Sequence, residues 1–133
     1  MKTGSIHQSV DFNTTPEMAY DLIMNSELHS AFTGGPVVMS KTINGSFSVF
    51  DGYCTGHTIE LKEGERIVQA WNFKEEGWPE DHYSVCTFVF SKTPTGCRLD
   101  FTQTKIPEHK VEALMQGWEE YYWEPMKNYL ATV

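Results

Sequence analysis

The stretch of sequence that decides the fold is residues 107–129, PEHKVEALMQGWEEYYWEPMKNY. Its large apolar side chains recur mostly three or four residues apart, at Val111, Leu114, Met115, Trp118, Tyr122, Pro125, Met126 and Tyr129. This spacing predicts an amphipathic helix of about 25 residues, spanning about 37 Å. Pro125 has no amide hydrogen and is expected to bend the helix. A helix with such a wide aromatic stripe needs a long apolar surface to lie on.

Most of the preceding sequence has the patterns of β-strands. Residues 5–13 alternate between apolar and polar side chains. Further strand-like stretches follow at 37–39, 47–50, 57–62, 66–73, 82–91 and 97–104. In the stretch 57–62, the alternation places Ile59 and Leu61 on one face and Thr58 on the other. The strands together are expected to supply the apolar surface that the helix needs.

Local signals also mark two short helices and a tight turn. Thr15 can cap a helix that begins at Pro16, and a second short helix is expected over residues 26–32. The pair Asn44-Gly45 is typical of a two-residue type I′ hairpin turn, in which both residues have positive φ.

The resulting order of elements is one strand, two short helices, six strands and a long helix. This segregated order excludes a doubly wound parallel sheet and predicts an α+β fold. We expect a curved antiparallel sheet of about seven strands wrapped around the long helix, an arrangement known as a helix-grip. No linker, internal repeat or low-complexity tract is found, so residues 1–133 are expected to form a single domain.

The charge balance narrows the range of partners. The formal net charge is −8, which disfavours binding to the phosphate backbone of nucleic acid or to an anionic membrane. No stretch approaches the roughly 18 apolar residues that span a bilayer. Residues 1–5 lack the apolar run of a secretory signal, so a cytoplasmic location is expected.

No catalytic or metal-binding motif is apparent. The sequence lacks a nucleophile elbow, a zinc-binding helix motif and a phosphate-binding glycine loop. Its five histidines are scattered, and its three cysteines lack the spacing of a zinc site. We therefore expect a protein that is not an enzyme and holds no metal or cofactor.

Three glutamines fall on apolar strand faces, where an amide needs a partner. Gln8, Gln69 and Gln103 each lie in register with apolar neighbours, and an unsatisfied buried amide costs about 1–3 kcal/mol. They either anchor an apolar ligand in a cavity under the helix or bond to neighbouring side chains. The ligand-cavity candidates are Gln8, Gln69, Trp71, Gln103, Met115, Trp118 and Tyr122.

The acidic loop over residues 75–81 contains a tryptophan between a glycine and a proline. Trp78 is either exposed, as aromatic residues at protein interfaces are, or folded back onto the edge of the domain.

Several segments are specific enough to indicate a family. The most specific are residues 67–73 (IVQAWNF), 78–82 (WPEDH) and 116–122 (QGWEEYY), with further matches at Phe32-Thr33, 45–50, Asp51-Gly52 and Gly56. These segments resemble the C-terminal domain of the activator of Hsp90 ATPase family. The resemblance implies a co-chaperone that contacts the N-terminal domains of Hsp90, helps to close its dimer and accelerates its ATPase. The partner-binding candidates are Phe32, Thr33, Trp78, Pro79 and Glu80.

Two functional hypotheses follow. The first is a non-catalytic regulator that binds Hsp90, and the alternative is a binding protein for a small apolar ligand. In the family that the sequence resembles, a separate N-terminal domain grips the middle segment of Hsp90 through a basic motif. The 133 residues contain no match to that domain, so we expect weaker stimulation.

Overall fold

The computed structural model describes residues 1–133 and contains a seven-stranded sheet, two short helices and one long helix. The strands are β1 (Thr3–Phe12), β2 (Val37–Met39), β3 (Ser46–Val49), β4 (Cys54–Lys62), β5 (Arg66–Phe73), β6 (Ser84–Thr93) and β7 (Gly96–Pro107). Their order across the sheet is β1-β7-β6-β5-β4-β3-β2, and all neighbours are antiparallel. The α+β helix-grip prediction is therefore confirmed.

The two short helices are α1 (Pro16–Met24) and α2 (Ser26–Thr33). The Thr15 hydroxyl accepts a hydrogen bond from the Met18 amide at 3.1 Å, so the predicted start of α1 is confirmed. The Asn25 side chain caps α2 in the same way. Each capping side chain accepts a hydrogen bond from a backbone amide in the first turn of its helix, which would otherwise lack a partner.

The long helix runs over residues 108–130 and changes its geometry along its length. A 3₁₀ turn (Glu108–Lys110) leads into an α-helical segment (Val111–Trp118), a π turn (Glu119–Trp123) and a second α-helical segment (Glu124–Leu130). The amide of Glu124 bonds to the carbonyl of Glu119, five residues earlier. The predicted long C-terminal helix is confirmed, and the helix has 23 residues.

The π turn explains which side chains of the long helix are buried. It ends just before Pro125, whose ring would clash with the carbonyl four residues earlier in a regular α-helix. Because a π turn brings residues four and five apart to one face, Trp118, Tyr122 and Trp123 all point into the core. The apolar stripe predicted from regular helical spacing lacks Trp123, which is buried, and contains Met115, which is 44% exposed.

The buried side chains form one cluster of 29 residues between the sheet and the helices. The inner face of the sheet follows the predicted alternation in β1 and β7, whereas β5 is buried continuously over residues 67–71. Gln69 and Gln103 are buried among apolar neighbours. In β4 the prediction for Ile59 is wrong. A β-bulge between Thr58 and Glu60 shifts the register, which leaves Ile59 43% exposed and buries Thr58.

The predicted two-residue turn at Asn44-Gly45 is also wrong. The connection between β2 and β3 spans residues 40–45, and the Gly45 amide donates to the carbonyl of Thr42 at 3.0 Å. Only Asn44 of the pair has a positive φ, of 67°. Glycine is still required at position 45, because a Cβ there would overlap the side chain of Ser40.

We predict that replacing Gly56 by alanine strongly destabilises the protein. A Cβ on Gly56 would overlap the carbonyl oxygen of Ala70 and lie 2.7 Å from the ring of Phe47, so β4 and β5 would have to separate. The expected loss is about 3 kcal/mol in the free energy of unfolding, measured by urea denaturation.

The matched control is Gly117→Ala. A Cβ on Gly117, in the long helix, would meet no atom within 4 Å, and alanine favours the helix by up to about 1 kcal/mol. Equal stability changes in G56A and G117A would contradict this account of the β4–β5 contact.

Candidate functional site

Three glutamines of the sheet each accept a hydrogen bond from a tryptophan indole. The donor–acceptor pairs and their N–O distances are Trp123–Gln8 at 2.7 Å, Trp71–Gln69 at 2.9 Å and Trp118–Gln103 at 2.7 Å. Two of these indoles belong to the long helix, whereas the amides lie on β1, β5 and β7. Two of the three bonds therefore fix the long helix to the sheet.

The other ends of these amides are also bonded. The Gln103 amide nitrogen donates to the Ser84 hydroxyl at 2.9 Å, and that of Gln69 donates to the Thr58 hydroxyl at 3.2 Å. Gln8 donates to the carbonyl of Met115 at 3.0 Å. No buried side-chain nitrogen or oxygen lacks a hydrogen-bond partner. In the structure, all three glutamines therefore bond to neighbouring protein groups, which is the second of the two interpretations.

One apolar depression lies between the long helix and the end of the sheet formed by β4 and β5. We call it the aromatic cleft. It is lined by Phe50, Tyr53, Cys54, Trp71, Phe73, Glu75, Ala113, Leu114, Gly117, Trp118, Tyr121 and Tyr122. Its volume is about 170 Å³, below the roughly 300 Å³ at which sites for small molecules begin. The structure therefore does not support a ligand carrier.

The ligand-cavity candidates do not all meet in this cleft. Trp71, Trp118 and Tyr122 line it, but the glutamines do not. Gln8 and Met115 border a separate, mostly polar depression on the outer side of the long helix.

The rim of the aromatic cleft exposes aromatic side chains and holds a polar contact at one end. Tyr53 is 41% and Tyr121 is 55% exposed. The Tyr53 hydroxyl donates to the Glu75 carboxylate, which also lies 3.2 Å from the ammonium of Lys110. Burial, together with the neighbouring Glu75, raises the pKa of the Tyr53 hydroxyl. The tyrosine therefore stays protonated and can continue to donate.

The loop before β6 is folded back onto the domain. Trp78 is only 7% exposed, packs 4.7 Å from the ring of Phe73 and donates its indole N–H to the carbonyl of His82 at 2.8 Å. The interpretation of Trp78 as an exposed interface residue is therefore wrong. Pro79 is half-buried and Glu80 is exposed, so these two partner-binding candidates reach the surface.

The other two partner-binding candidates lie at the end of α2. Phe32 is buried and stacks on the imidazole of His29, with ring centroids 5.1 Å apart. The Thr33 hydroxyl donates to the carbonyl of His29 at 2.8 Å. Both side chains thus make contacts inside the protein, and Phe32 is a core residue.

His29 joins α2 to the long helix, and the sequence contained no signal that set it apart from the other histidines. Its Nδ1 lies 2.9 Å from the carbonyl of Ile23, which can only accept, so Nδ1 carries the hydrogen. Its Nε2 then accepts from the Tyr122 hydroxyl at 2.6 Å. Burial lowers the pKa of His29 to about 4.

The three cysteines are buried, and burial raises the pKa of each thiol, which disfavours the reactive thiolate. No three His, Cys, Asp or Glu side chains lie close enough together to hold a metal ion. None of the helices is both long enough and apolar enough to span a membrane.

The fold and the site define a helix-grip domain with a filled interior and an aromatic cleft at one end. The chain belongs to the family described as "Activator of Hsp90 ATPase homolog 1-like protein", whose model matches residues 13–131.

Two curated relatives show the extent of the sequence match. The chain is 34% identical over 116 residues to "Activator of 90 kDa heat shock protein ATPase homolog 1" of Homo sapiens. It is 28% identical over 129 residues to the homologue of Dictyostelium discoideum. The matches cover 87% and 95% of this chain, but only 34% and 33% of the relatives. The chain thus spans about a third of the length of these curated relatives.

Solved structures agree with the fold. An HSP90 activator from Plasmodium falciparum superimposes with a TM-score of 0.84 at 21% identity, over 97% of this chain and 96% of that one. A protein from Mesorhizobium loti gives a TM-score of 0.81 at 16% identity, over 99% and 98% of the two chains. At these identities the likeness describes the fold alone.

We predict that His29 makes the stability of the protein depend on pH. The unfolded state binds a proton at His29 near pH 6.5, whereas the folded state binds it only near pH 4. The unfolded state therefore holds more protons between these values, so the free energy of unfolding falls as the pH is lowered. From about pH 7 to about pH 5 the loss attributable to His29 is about 2 kcal/mol.

The measurement is urea denaturation across this pH range for the wild type, H29Q and H57Q. The curve of H29Q should be flatter by about 2 kcal/mol. H57Q changes an exposed histidine and is the control for removing an imidazole outside the core. A wild-type slope in H29Q would contradict the assignment of a buried neutral imidazole.

We also predict that the Trp118–Gln103 bond contributes more to stability than the Trp123–Gln8 bond. Gln103 is fully buried, so Q103L leaves the Trp118 N–H without a partner and costs about 2–3 kcal/mol. Gln8 is only half-buried, so Q8A leaves a gap through which water can reach the Trp123 N–H, and it should cost less than about 1 kcal/mol. Thermal and urea unfolding of both variants would measure the difference, and equal losses would refute it.

Proposed function

We propose that this chain binds an Hsp90-type chaperone and modulates its ATPase, without catalysing a reaction itself. The observation that carries the proposal is the family match over residues 13–131. The curated relatives are named as activators of the 90 kDa heat shock protein ATPase, which describes a regulator of another enzyme. The proposal includes a cytoplasmic location and a single functional domain over residues 1–133.

The character of the surface supports a role in binding a protein. The thiols are buried and the structure contains no three-residue metal cluster, so the polar groups give little basis for catalysis. Exposed aromatic side chains at the rim of the aromatic cleft are typical of protein interfaces. The net charge of −8 favours a partner with a basic face.

The proposal is tested by adding the purified chain to the full-length Hsp90 of the same cell. We expect saturable binding by calorimetry and a change in the steady-state rate of ATP hydrolysis that saturates over the same concentration range. The rate that remains with an inhibitor of the Hsp90 nucleotide site is subtracted, so that only chaperone turnover is counted.

An unrelated protein of similar size and net charge serves as the control for non-specific electrostatic effects. It should neither bind nor change the rate. The absence of binding by the chain, at concentrations where a family activator with both domains binds, would refute the proposed function. Binding without any change in ATP turnover would refute the proposed modulation of the ATPase, while the proposed binding would stand.

A further inference from the structure

We propose that the aromatic cleft is the docking surface for the chaperone, and that it receives one apolar side chain flanked by lysine or arginine. This inference rests on the proposed function, and it adds the surface used and the chemistry of the segment that is bound. It differs from a ligand-carrier role because the occupant belongs to a protein partner.

The size of the aromatic cleft fits one large side chain. Its volume is about 170 Å³, and ten of its twelve lining residues are hydrophobic. A drug-sized or lipid-sized molecule needs more space, whereas hot spots of protein interfaces are formed by single anchors buried in small pockets.

The rim of the cleft can contact the surroundings of such an anchor. Tyr53, in the turn before β4, and Tyr121, in the π turn of the long helix, both line the cleft and expose about half of their surfaces. Phe50 packs against Tyr121, with ring centroids 6.3 Å apart, which holds this side of the rim in place. Rigid aromatic side chains contribute contact area with little loss of conformational entropy.

The charges near the cleft favour a cationic segment. Glu75 lies in its lining, and the exposed Asp51 sits in the turn between the lining residues Phe50 and Tyr53. Lys110, whose ammonium lies at the end of the cleft, is already paired with Glu75 at 3.2 Å. The remaining exposed carboxylate beside the cleft is that of Asp51, and together with the net charge of −8 it favours a segment that carries lysine or arginine.

Gly117 allows the cleft to be filled without disturbing the core. It lines the cleft, and a Cβ added to it would meet no atom within 4 Å. Gly117→Leu should project a side chain into the space that the anchor would occupy, whereas Gly117→Ala leaves most of that space open. Both changes replace a glycine inside a helix, so both should keep or raise stability.

The test measures the affinity of full-length Hsp90 for the wild type, G117L, G117A, D51N and E63Q by calorimetry, with thermal unfolding to verify each fold. We expect G117L to bind about tenfold more weakly and G117A within about twofold of the wild type. D51N should bind about twofold more weakly, whereas E63Q should not change, because Glu63 lies in the turn at the far end of the β4–β5 hairpin.

The outcomes separate this inference from the function on which it rests. If the wild type binds and folded G117L binds equally well, the cleft is not the docking surface, although the proposed function stands. If the wild type does not bind, both fail. A wild type that self-associates, with the association lost in G117L, would assign the cleft to a second copy of the chain and overturn the proposal.

Discussion

The indole N–H groups of the core are polar atoms that a dry interior cannot leave without partners. Two of them belong to Trp118 and Trp123 on the long helix. They donate to the side-chain oxygens of Gln103 and Gln8 on the sheet. These bonds set the rotation and the axial position of the helix, since a shift by one residue would leave both indoles and both amides unpaired. The π turn serves the same requirement by bringing Trp123 to the face that already holds Trp118.

Much of this arrangement could be predicted from the sequence, because it depends on local patterns. The register of Gln8, Gln69 and Gln103 with apolar neighbours identified amides on apolar strand faces, and helical spacing identified Trp118. The bonding partners could not be predicted, since Gln8 and Trp123 are 115 residues apart in the chain. The π turn was also missed, because its effect on burial appears only when the helix lies on the sheet.

The loop and the turns show where local patterns fail. Trp78, between a glycine and a proline, can point either way, and only its packing on Phe73 and its bond to His82 decide that it is buried. The same packed interior explains why the structure does not support a carrier of small apolar ligands. Four indoles and their neighbours fill the space between the sheet and the helices, and the aromatic cleft beside them is small. In the docking that we propose, recognition depends on the rim of the aromatic cleft and on the charges around it.

The most direct test of this account is an NMR titration of the ¹⁵N-labelled chain with unlabelled full-length Hsp90. The account predicts that the amide signals of Gly117, Tyr121 and Tyr53 shift or broaden first, while those of residues 62–66 at the far hairpin turn stay unchanged. Perturbations confined to that turn, or to the outer acidic side of the long helix near Glu119, would contradict it.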